Sequence, residues 1–598
     1  MKINSKAFTL IELLAVIVIL AIIALIATPI VLNIIKDTKE SSQLQSAEFY
    51  LGAVENAVAS STLNNKKLEN KTYKILKDGN ICIEYKENEC INKLNVEVSG
   101  EIPISGIITL QNGKIEEVKL KYENEKIIAY DKNKKLVYAL PEPYQESENI
   151  EIPDLYNNTL TPVIYVGDNW RVADVTEKWY DYSNQEWANA VILNSSVKKK
   201  IGDAVTVEGE NPDALAMFVW IPRYEYKIEG IYGKGGTSKA SPGEIEVNFI
   251  NKKIKEATTD YRIHPAFNFG GEDISGIWVG KFELSHATKT GNLGCTTETC
   301  SESDKLRVLP NMQALRNNKV SSLFYAVRSM GKDNNEFNID SKIVDIHMIK
   351  NSEWGVSAYL SQSKYGKYGN GNYEASNKEI YINNSIDLYT GRSGGSYGGN
   401  TAVNLVYLDK ANIIDEYINT GYYTYDGYLL EYNTNNKTET RDLNKVASTT
   451  GNIYGIYDMT GGAWEYVMGV FANSDGEKWA GTNSNANSGF SGKLGSTGTD
   501  IEGLVWPDEK YYDVYKASNG TSISSTTACN GSICYGHALS EIEGWYRDYA
   551  SFVTSNNPWL VRGGRYSGSD DGGIFVLVSY YGNAVGHGST RVILTSST

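Results

Sequence analysis

One carboxylate stands at the head of a long apolar run. Glu12 precedes the stretch from Leu13 to Ile35, which is long enough to cross a bilayer as a helix. An intramembrane carboxylate is costly unless a cation meets it, so the chemistry Glu12 suggests is charge pairing with a neighbour. Lys2 and Lys6 lie ahead of the run and favour a cytoplasmic N-terminus. Six cysteines form three close pairs, Cys82 with Cys90, Cys295 with Cys300 and Cys529 with Cys534. Outside the cytoplasm such spacing favours local disulfides, with free thiols as the alternative. No pair has Cys-x-x-Cys spacing and the histidines are scattered, so no metal is expected. His264, His286, His347, His537 and His587 lack a serine or cysteine partner by motif. Asp570-Asp571 reads as a solvated turn, and Gly391–Gly399 lacks the Lys-Ser/Thr of a phosphate loop.

The elements that must carry these groups follow from periodicity. Leu44, Ala47, Leu51, Val54 and Val58 fall on one helical face, extending a helix from Phe8 to about Ser60, roughly 80 Å long. Residues 8–35 would form its membrane or filament part. Residues 61–140 switch to a strand pattern. Gly106–Leu110 runs into Asn112-Gly113, the dipeptide most typical of a tight hairpin. Val118–Tyr122, Ile127–Tyr130 and Leu136–Ala139 complete an antiparallel meander. Residues 141–158 are acidic, contain Pro141, Pro143 and Pro153, and read as a linker. Residues 159–598 form the remaining, largest part.

The net charge is −15 with no basic block beyond the leader, which excludes a nucleic-acid footprint. Tyrosine outnumbers phenylalanine 42 to 13, and tyrosine suits recognition surfaces as well as an AT-rich coding bias.

The segment Phe8-Thr9-Leu10-Ile11-Glu12 with its basic leader resembles the type IV prepilin signal of pilins and pseudopilins. The resemblance implies a leader of residues 1–7, cleavage between Ala7 and Phe8, and methylation of Phe8. It also implies pairing of Glu12 with the N-terminus of a neighbouring subunit. Ala7 stands where the family usually has glycine, and Pro29 matches a proline common in the family's helix. The implied partners are other pilin subunits, a prepilin peptidase and the membrane, with the bulk of the chain extracellular.

Further along come Trp278-Val279-Gly280-Lys281-Phe282-Glu283, Glu353-Trp354, and Asn452-Ile453-Tyr454-Gly455-Ile456-Tyr457-Asp458-Met459. Gly461-Gly462-Ala463-Trp464-Glu465, Arg562-Gly563-Gly564-Arg565-Tyr566 and Arg591-Val592 follow in order. These resemble the formylglycine-generating-enzyme family, a variant of the C-type lectin fold. The resemblance makes Trp278, Trp354, Asp458, Trp464, Glu465, Arg562, Gly563, Gly564 and Arg591 structural motif residues. The family's catalytic cysteine pair should follow Arg562-Gly563-Gly564, and no cysteine does; Cys529 and Cys534 precede it. Gly462 replaces the family's calcium-binding asparagine.

The expected fold is α+β: a long N-terminal pilin helix with a small antiparallel sheet, then a large C-type-lectin-like mixed α/β domain. The expected function is a minor or tip pilin-like protein displaying a non-catalytic binding domain to a glycan or protein ligand, without a cofactor. The loops around Gly391–Gly399 and Ser567–Gly573 are the candidate binding loops. A pseudopilin of a secretion or DNA-uptake system, a formylglycine-type oxidase and a diversified receptor are the alternatives.

Overall fold

The computed structural model describes most of residues 42–597. The longest stretches outside it are 1–41, 370–378, 393–421, 431–446 and 518–526, with shorter ones that include 140–142 and 567–571. The chain divides into two compact units, Met1–Glu142 and Pro143–Thr598.

In the first unit a helix over residues 42–63 (α1) carries an apolar face of Ala47, Tyr50, Leu51, Val54 and Val58, all buried. Seven strands follow: β1 Thr72–Ile75, β2 Ile81–Lys86, β3 Glu89–Leu94, β4 Ser105–Gln111, β5 Lys114–Lys121, β6 Ile127–Tyr130 and β7 Leu136–Ala139. They form one antiparallel sheet in the order β3-β2-β1-β4-β5-β6-β7. β5 buries Ile115, Val118 and Leu120 and turns lysine and glutamate outward, its alternation broken by one extra residue where the register with β4 shifts at Thr109/Leu110. Asn112 and Gly113, at φ 54° and 76°, make the two-residue turn from β4 to β5. The α1 face and the inner sheet face share one core with Tyr73, Ile108, Leu110 and Ile128.

The second unit is built around an eight-stranded sheet and one continuous hydrophobic core. The central strand Ala214–Pro222 is buried along its whole length and pairs with Gly276–Gly280. Trp220 lies opposite Trp278 in that pairing, with ring centroids 5.3 Å apart. The C-terminal strand Val592–Ser596 inserts between Gly276–Gly280 and Val344–Met348, so the last residues complete the sheet. A second sheet orders Asp513–Ala517, Trp464–Asn473, Trp559–Arg562 and Leu577–Tyr580. Two helices, α2 Val320–Ser329 and α3 Asn351–Ser361, pack in the core, and α3 is buried on every side.

This architecture corrects the expected α+β class. The described residues are mostly β-sheet, with three short α-helices, and contain neither a long pilin helix nor the expected mixed α/β domain. The apolar residues of the second unit come in short β-branched and aromatic runs broken by glycine and asparagine. Such runs favour pleated strands over the ten or more periodic residues that a helix requires. Residues 8–41 of the expected helix lie outside the described residues. Among the described residues no helix is long and apolar enough to cross a membrane.

Residues 143–158, read from sequence as a linker, are part of the second unit. Ile150 and Tyr156 enter its core, and the Glu146 carboxylate accepts the backbone N–H groups of Tyr182 and Ser183. The proline and acid content that suggests a linker here describes an extended strap held by side-chain partners far along the chain.

Candidate functional site

The second unit gathers the ordered motif residues around two buried arginines. Arg591 immediately precedes the final strand Val592–Ser596 and bonds to Glu465 at the start of Trp464–Asn473. Its Nε donates to Glu465 Oε2 at 3.0 Å, and its Nη2 reaches Glu465 Oε1. Nη1 donates to the Gly280 carbonyl at 2.7 Å and Nη2 to that of Tyr457 at 2.8 Å. One guanidinium thereby ties together three of the sequence motifs.

Asp458 and Glu283 stand beside this pair. Asp458, at φ 63°, accepts the Asn383 amide at 2.8 Å and the Gly391 backbone N–H. Glu283 accepts the Ala463 N–H at 2.8 Å through Oε1, and its Oε2 has no hydrogen-bond partner among the described residues. Burial pushes Glu283 well above the usual carboxylate range, and the neighbouring Asp458 and Glu465 charges add to the shift. Burial likewise raises Asp458 to about 6 and Glu465 to about 7, both against the opposing Arg591 charge. Three carboxyls thus face one guanidinium, and protonation at this cluster removes the surplus negative charge.

Gly462 has φ 69°, and a Cβ there would lie 2.6 Å from Glu283 Oε1. A side chain at the position where the resemblance expects a calcium-binding asparagine would therefore have to displace the Glu283 carboxyl. Among the described residues no group of three or more His, Cys, Asp or Glu side chains is arranged to hold a metal ion.

Arg562 forms the second anchor. Its Nε donates to Asn351 Oδ1 at 2.8 Å and its Nη2 to the carbonyls of His537 and Ala538 at 2.8 and 2.9 Å. Burial lowers its pKa to about 10. Gly563, at φ 77°, turns the chain where a Cβ would crowd the Trp354 ring at 3.1 Å. Gly564 follows at φ 76°. Trp354 donates to the Ile574 carbonyl at 2.9 Å, and Trp278 donates to that of Asp154 at 2.6 Å.

Sequence reasoning missed two buried polar devices. The Lys281 ammonium is held by Asn189 Oδ1 at 2.8 Å and by the carbonyls of Ile453 and Gly455 at 2.6 and 2.8 Å. Burial drives its pKa well below the ordinary lysine value. His347 lies between Asp345 at 2.9 Å and Glu353 at 3.0 Å and stacks on Phe269. Burial alone would lower the His347 pKa, but the two carboxylates outweigh it and raise the value. Lys281 lies inside a quoted motif, so its position was legible. The His347 network joins separate elements and was not.

The structure joins Cys82 to Cys90, Cys295 to Cys300 and Cys529 to Cys534, with Cα separations of 5.8, 5.3 and 5.3 Å. Ala7, Phe8 and Glu12 lie outside the described residues, as do 393–399 and 567–571 of the two candidate loops. Of those loops the described parts reach the buried cluster: Gly391 donates to Asp458, and Gly573 donates to the Gly563 carbonyl.

Asp458, Glu465 and Arg591 are thus brought together, Arg562, Gly563 and Trp354 form a neighbouring group, and Trp278 serves the sheet core. All are sealed from water. Only Trp464 among the motif residues reaches the surface, at 9% exposure.

The comparison with curated proteins returns no match. Residues 2–28 match the family model of the prokaryotic N-terminal methylation motif. The chain therefore has a type IV pilin-like N-terminus, and with it the general requirements of a pilin- or pseudopilin-like surface protein: a membrane anchor, prepilin-peptidase processing and assembly with pilin-like subunits.

Proposed function

We propose that the chain is a minor or tip subunit that displays the unit Pro143–Thr598 as a non-catalytic binding module. The observation that carries this reading is the methylation motif at residues 2–28 on a chain whose second unit runs from residue 143 to 598. A module of that size repeated on every subunit would crowd a tightly packed filament, which favours a minor or tip position.

We also infer a resemblance of the second unit to the formylglycine-generating-enzyme family in the order of its sequence motifs rather than in chemistry. The support is the convergence of its ordered motifs on Arg591 and Arg562. The chain after Arg562-Gly563-Gly564 contains no cysteine, and without a thiolate that position offers no nucleophile of the family's kind.

Mass spectrometry of the mature protein tests the processing: the N-terminus should be a methylated Phe8. An N-terminus near residue 35 would show a conventional signal peptide and end the reading. Glu12→Ala should leave membrane levels similar and lower the fraction recovered in filaments, because the carboxylate needs the neighbour's amino group. Conversion of a cysteine peptide to formylglycine by the purified protein would overturn the non-enzymatic assignment.

A further inference from the structure

We propose that the cavity between the strap of residues 143–158 and the strand Tyr224–Lys227 binds a primary alkylammonium group, held by Glu146 and Glu225. The proposal rests on the binding-module reading and names the site and the ligand class.

The cavity has a volume of about 490 Å³, and small-molecule sites typically have about 300–1,000 Å³. Glu146, Glu225 and Asn248 supply polar groups to its lining, and Phe249, Ile254 and Tyr365 supply apolar ones. Among the described residues no lysine, arginine or histidine lines it. Glu225 is 1% exposed and Glu146 is half-buried. Both border the same empty space, so a ligand has room beside them.

The fold fixes the two carboxyls as acceptors. Asn248 stands opposite Glu225 where Tyr224–Lys227 pairs with Glu246–Phe249, and its amide donates to Glu225 Oε1 at 3.3 Å. The Thr258 N–H donates to Glu225 Oε2 at 2.7 Å. Glu146 Oε2 accepts the Tyr182 N–H at 2.7 Å, and Oε1 accepts the N–H and hydroxyl of Ser183 at 3.1 and 2.9 Å. Every one of these donors is neutral. Among the described residues neither carboxyl has an ion-pair partner, and Lys364, whose ammonium stands 4.9 Å from the centre of the Tyr365 ring, pairs with neither. A buried carboxyl without a counter-charge is costly, and a bound cation offsets that cost. The same hydrogen bonds hold the acceptors in place before a ligand arrives, which reduces the ordering cost of binding.

The lining selects among cations. An ammonium group carries three N–H donors and no acceptor, which matches a site built of acceptors. The Phe249 and Tyr365 rings, with centroids 4.4 Å apart, and Ile254 offer aromatic and apolar contact to a carbon chain behind that group. A metal ion gains nothing from such walls, and among the described residues no third carboxylate joins these two in a metal-holding group. The net charge of −15 draws cations toward the chain and repels anions. A lysine side chain and a free diamine present the same alkylammonium group, and the experiment separates them.

The test uses the full-length protein in detergent, titrated calorimetrically with cadaverine and with Nα-acetyl-lysine methylamide. The matching diol and Nα-acetyl-norleucine methylamide are the uncharged counterparts, and calcium chloride is the metal control. The expected result is at least about tenfold tighter binding of an amine than of its counterpart, the size of one charge-assisted hydrogen bond. Tighter binding of cadaverine supports a free diamine, and tighter binding of the lysine derivative supports a protein side chain. Ser147→Lys sets an ammonium on the exposed part of the lining and should remove most of the preference with unchanged thermal melting. Ser147→Ala should keep it, and Glu146→Gln should weaken amine binding. Four outcomes overturn the proposal: no binding of either amine, equal binding of amines and their counterparts, wild-type preference in Ser147→Lys, or calcium that binds and displaces the amines. Protease accessibility of the second unit on intact cells is measured in parallel. It reports surface display independently of ligand, so failure of the site and failure of the display reading are distinguishable.

Discussion

In the first unit the ion pairs Lys71–Glu69, Lys93–Asp78 and Lys134–Glu116 leave every participating side chain between 45% and 77% exposed. In the second unit the Arg591–Glu465 and His347–Glu353 pairs have no measurable exposure on either side. The cores differ in the same sense. Aliphatic residues with the tyrosines Tyr50, Tyr73 and Tyr122 fill the first, whereas Trp170, Trp187, Trp220, Trp278, Trp354, Trp545 and Trp559 are among the largest buried side chains of the second. A small helix-on-sheet unit can put all its charges in water. A unit assembled from many short strands uses buried charges to fix how distant segments meet. Exposed pairs contribute little because water screens them, while breaking a buried pair leaves an uncompensated charge.

Removal of one partner of a buried pair should give the largest contrast. Arg591→Met should destabilise the second unit by about 3–5 kcal/mol, since it leaves Glu465 without its cation. Hydrogen exchange on peptides from both units would read this, and the first unit should be unaffected. A loss below about 1 kcal/mol would mean that protonated Glu465 tolerates the vacancy and that the comparison overstates the pair.

Truncations in the two cores should cost similar amounts, which limits the contrast to electrostatics. Trp278→Ala should cost about 3–5 kcal/mol in the second unit and Leu51→Ala about 2–5 kcal/mol in the first, by denaturant unfolding monitored separately in each.

The pH dependence of the buried carboxyl cluster in the second unit should have the opposite sign to that of Asp78 in the first. Asp458 and Glu465 have folded values raised to about 6 and about 7, so their stabilising contribution is fully present below the unfolded carboxylate value near ~4 and is lost as pH rises through the folded values. The raised His347 value acts in the same direction. In the first unit a hydrogen bond from Lys93 lowers the Asp78 value, so that contribution is lost as pH falls through it. The Asp458–Glu465 contribution should therefore decline from about pH 4 to pH 7, against the rise that the lowered values of His264, His286, His537 and His587 give the same unit as pH approaches ~6.5. Glu283→Gln should flatten the decline, and a melting-temperature profile that this substitution leaves unchanged would refute the shared-proton cluster.

Reduction of the disulfides should have a moderate effect. Sequence separations of 8, 5 and 5 close short loops, so each bond should contribute about 2 kcal/mol. Non-reducing peptide mapping checks the pairing, and full alkylation of surface-isolated protein would reject it. Lys93→Ala should be the smallest perturbation, within about 0.5 kcal/mol, because both partners are near half exposure.

Legibility differed between the units for the same reason. The α1 face and the Asn112-Gly113 turn are local patterns, set by 3.6-residue periodicity and by backbone sterics at two residues. The strap from Pro143 to Asn158 has the composition of a linker, and its place in the second unit is set by partners such as Tyr182 and Trp220 that lie far away in sequence. The motif order pointed to Arg562 and Arg591 as anchors but not to their contacts. It gave no sign that Glu146 and Glu225 would border one cavity.

The sequence alone determined the type IV pilin-like N-terminus, because leader charge, apolar length and one carboxylate are properties of a contiguous segment. It also determined the close spacing of the cysteines and the hairpin of the first unit. Only the tertiary structure decided the mostly β class and the absorption of residues 143–158 into the second unit. It alone decided the sharing of Arg591 among strands that begin more than three hundred residues apart in places. Those outcomes depend on which short strands pair and which charges find partners in the interior, and both are fixed by long-range contacts that no local pattern encodes.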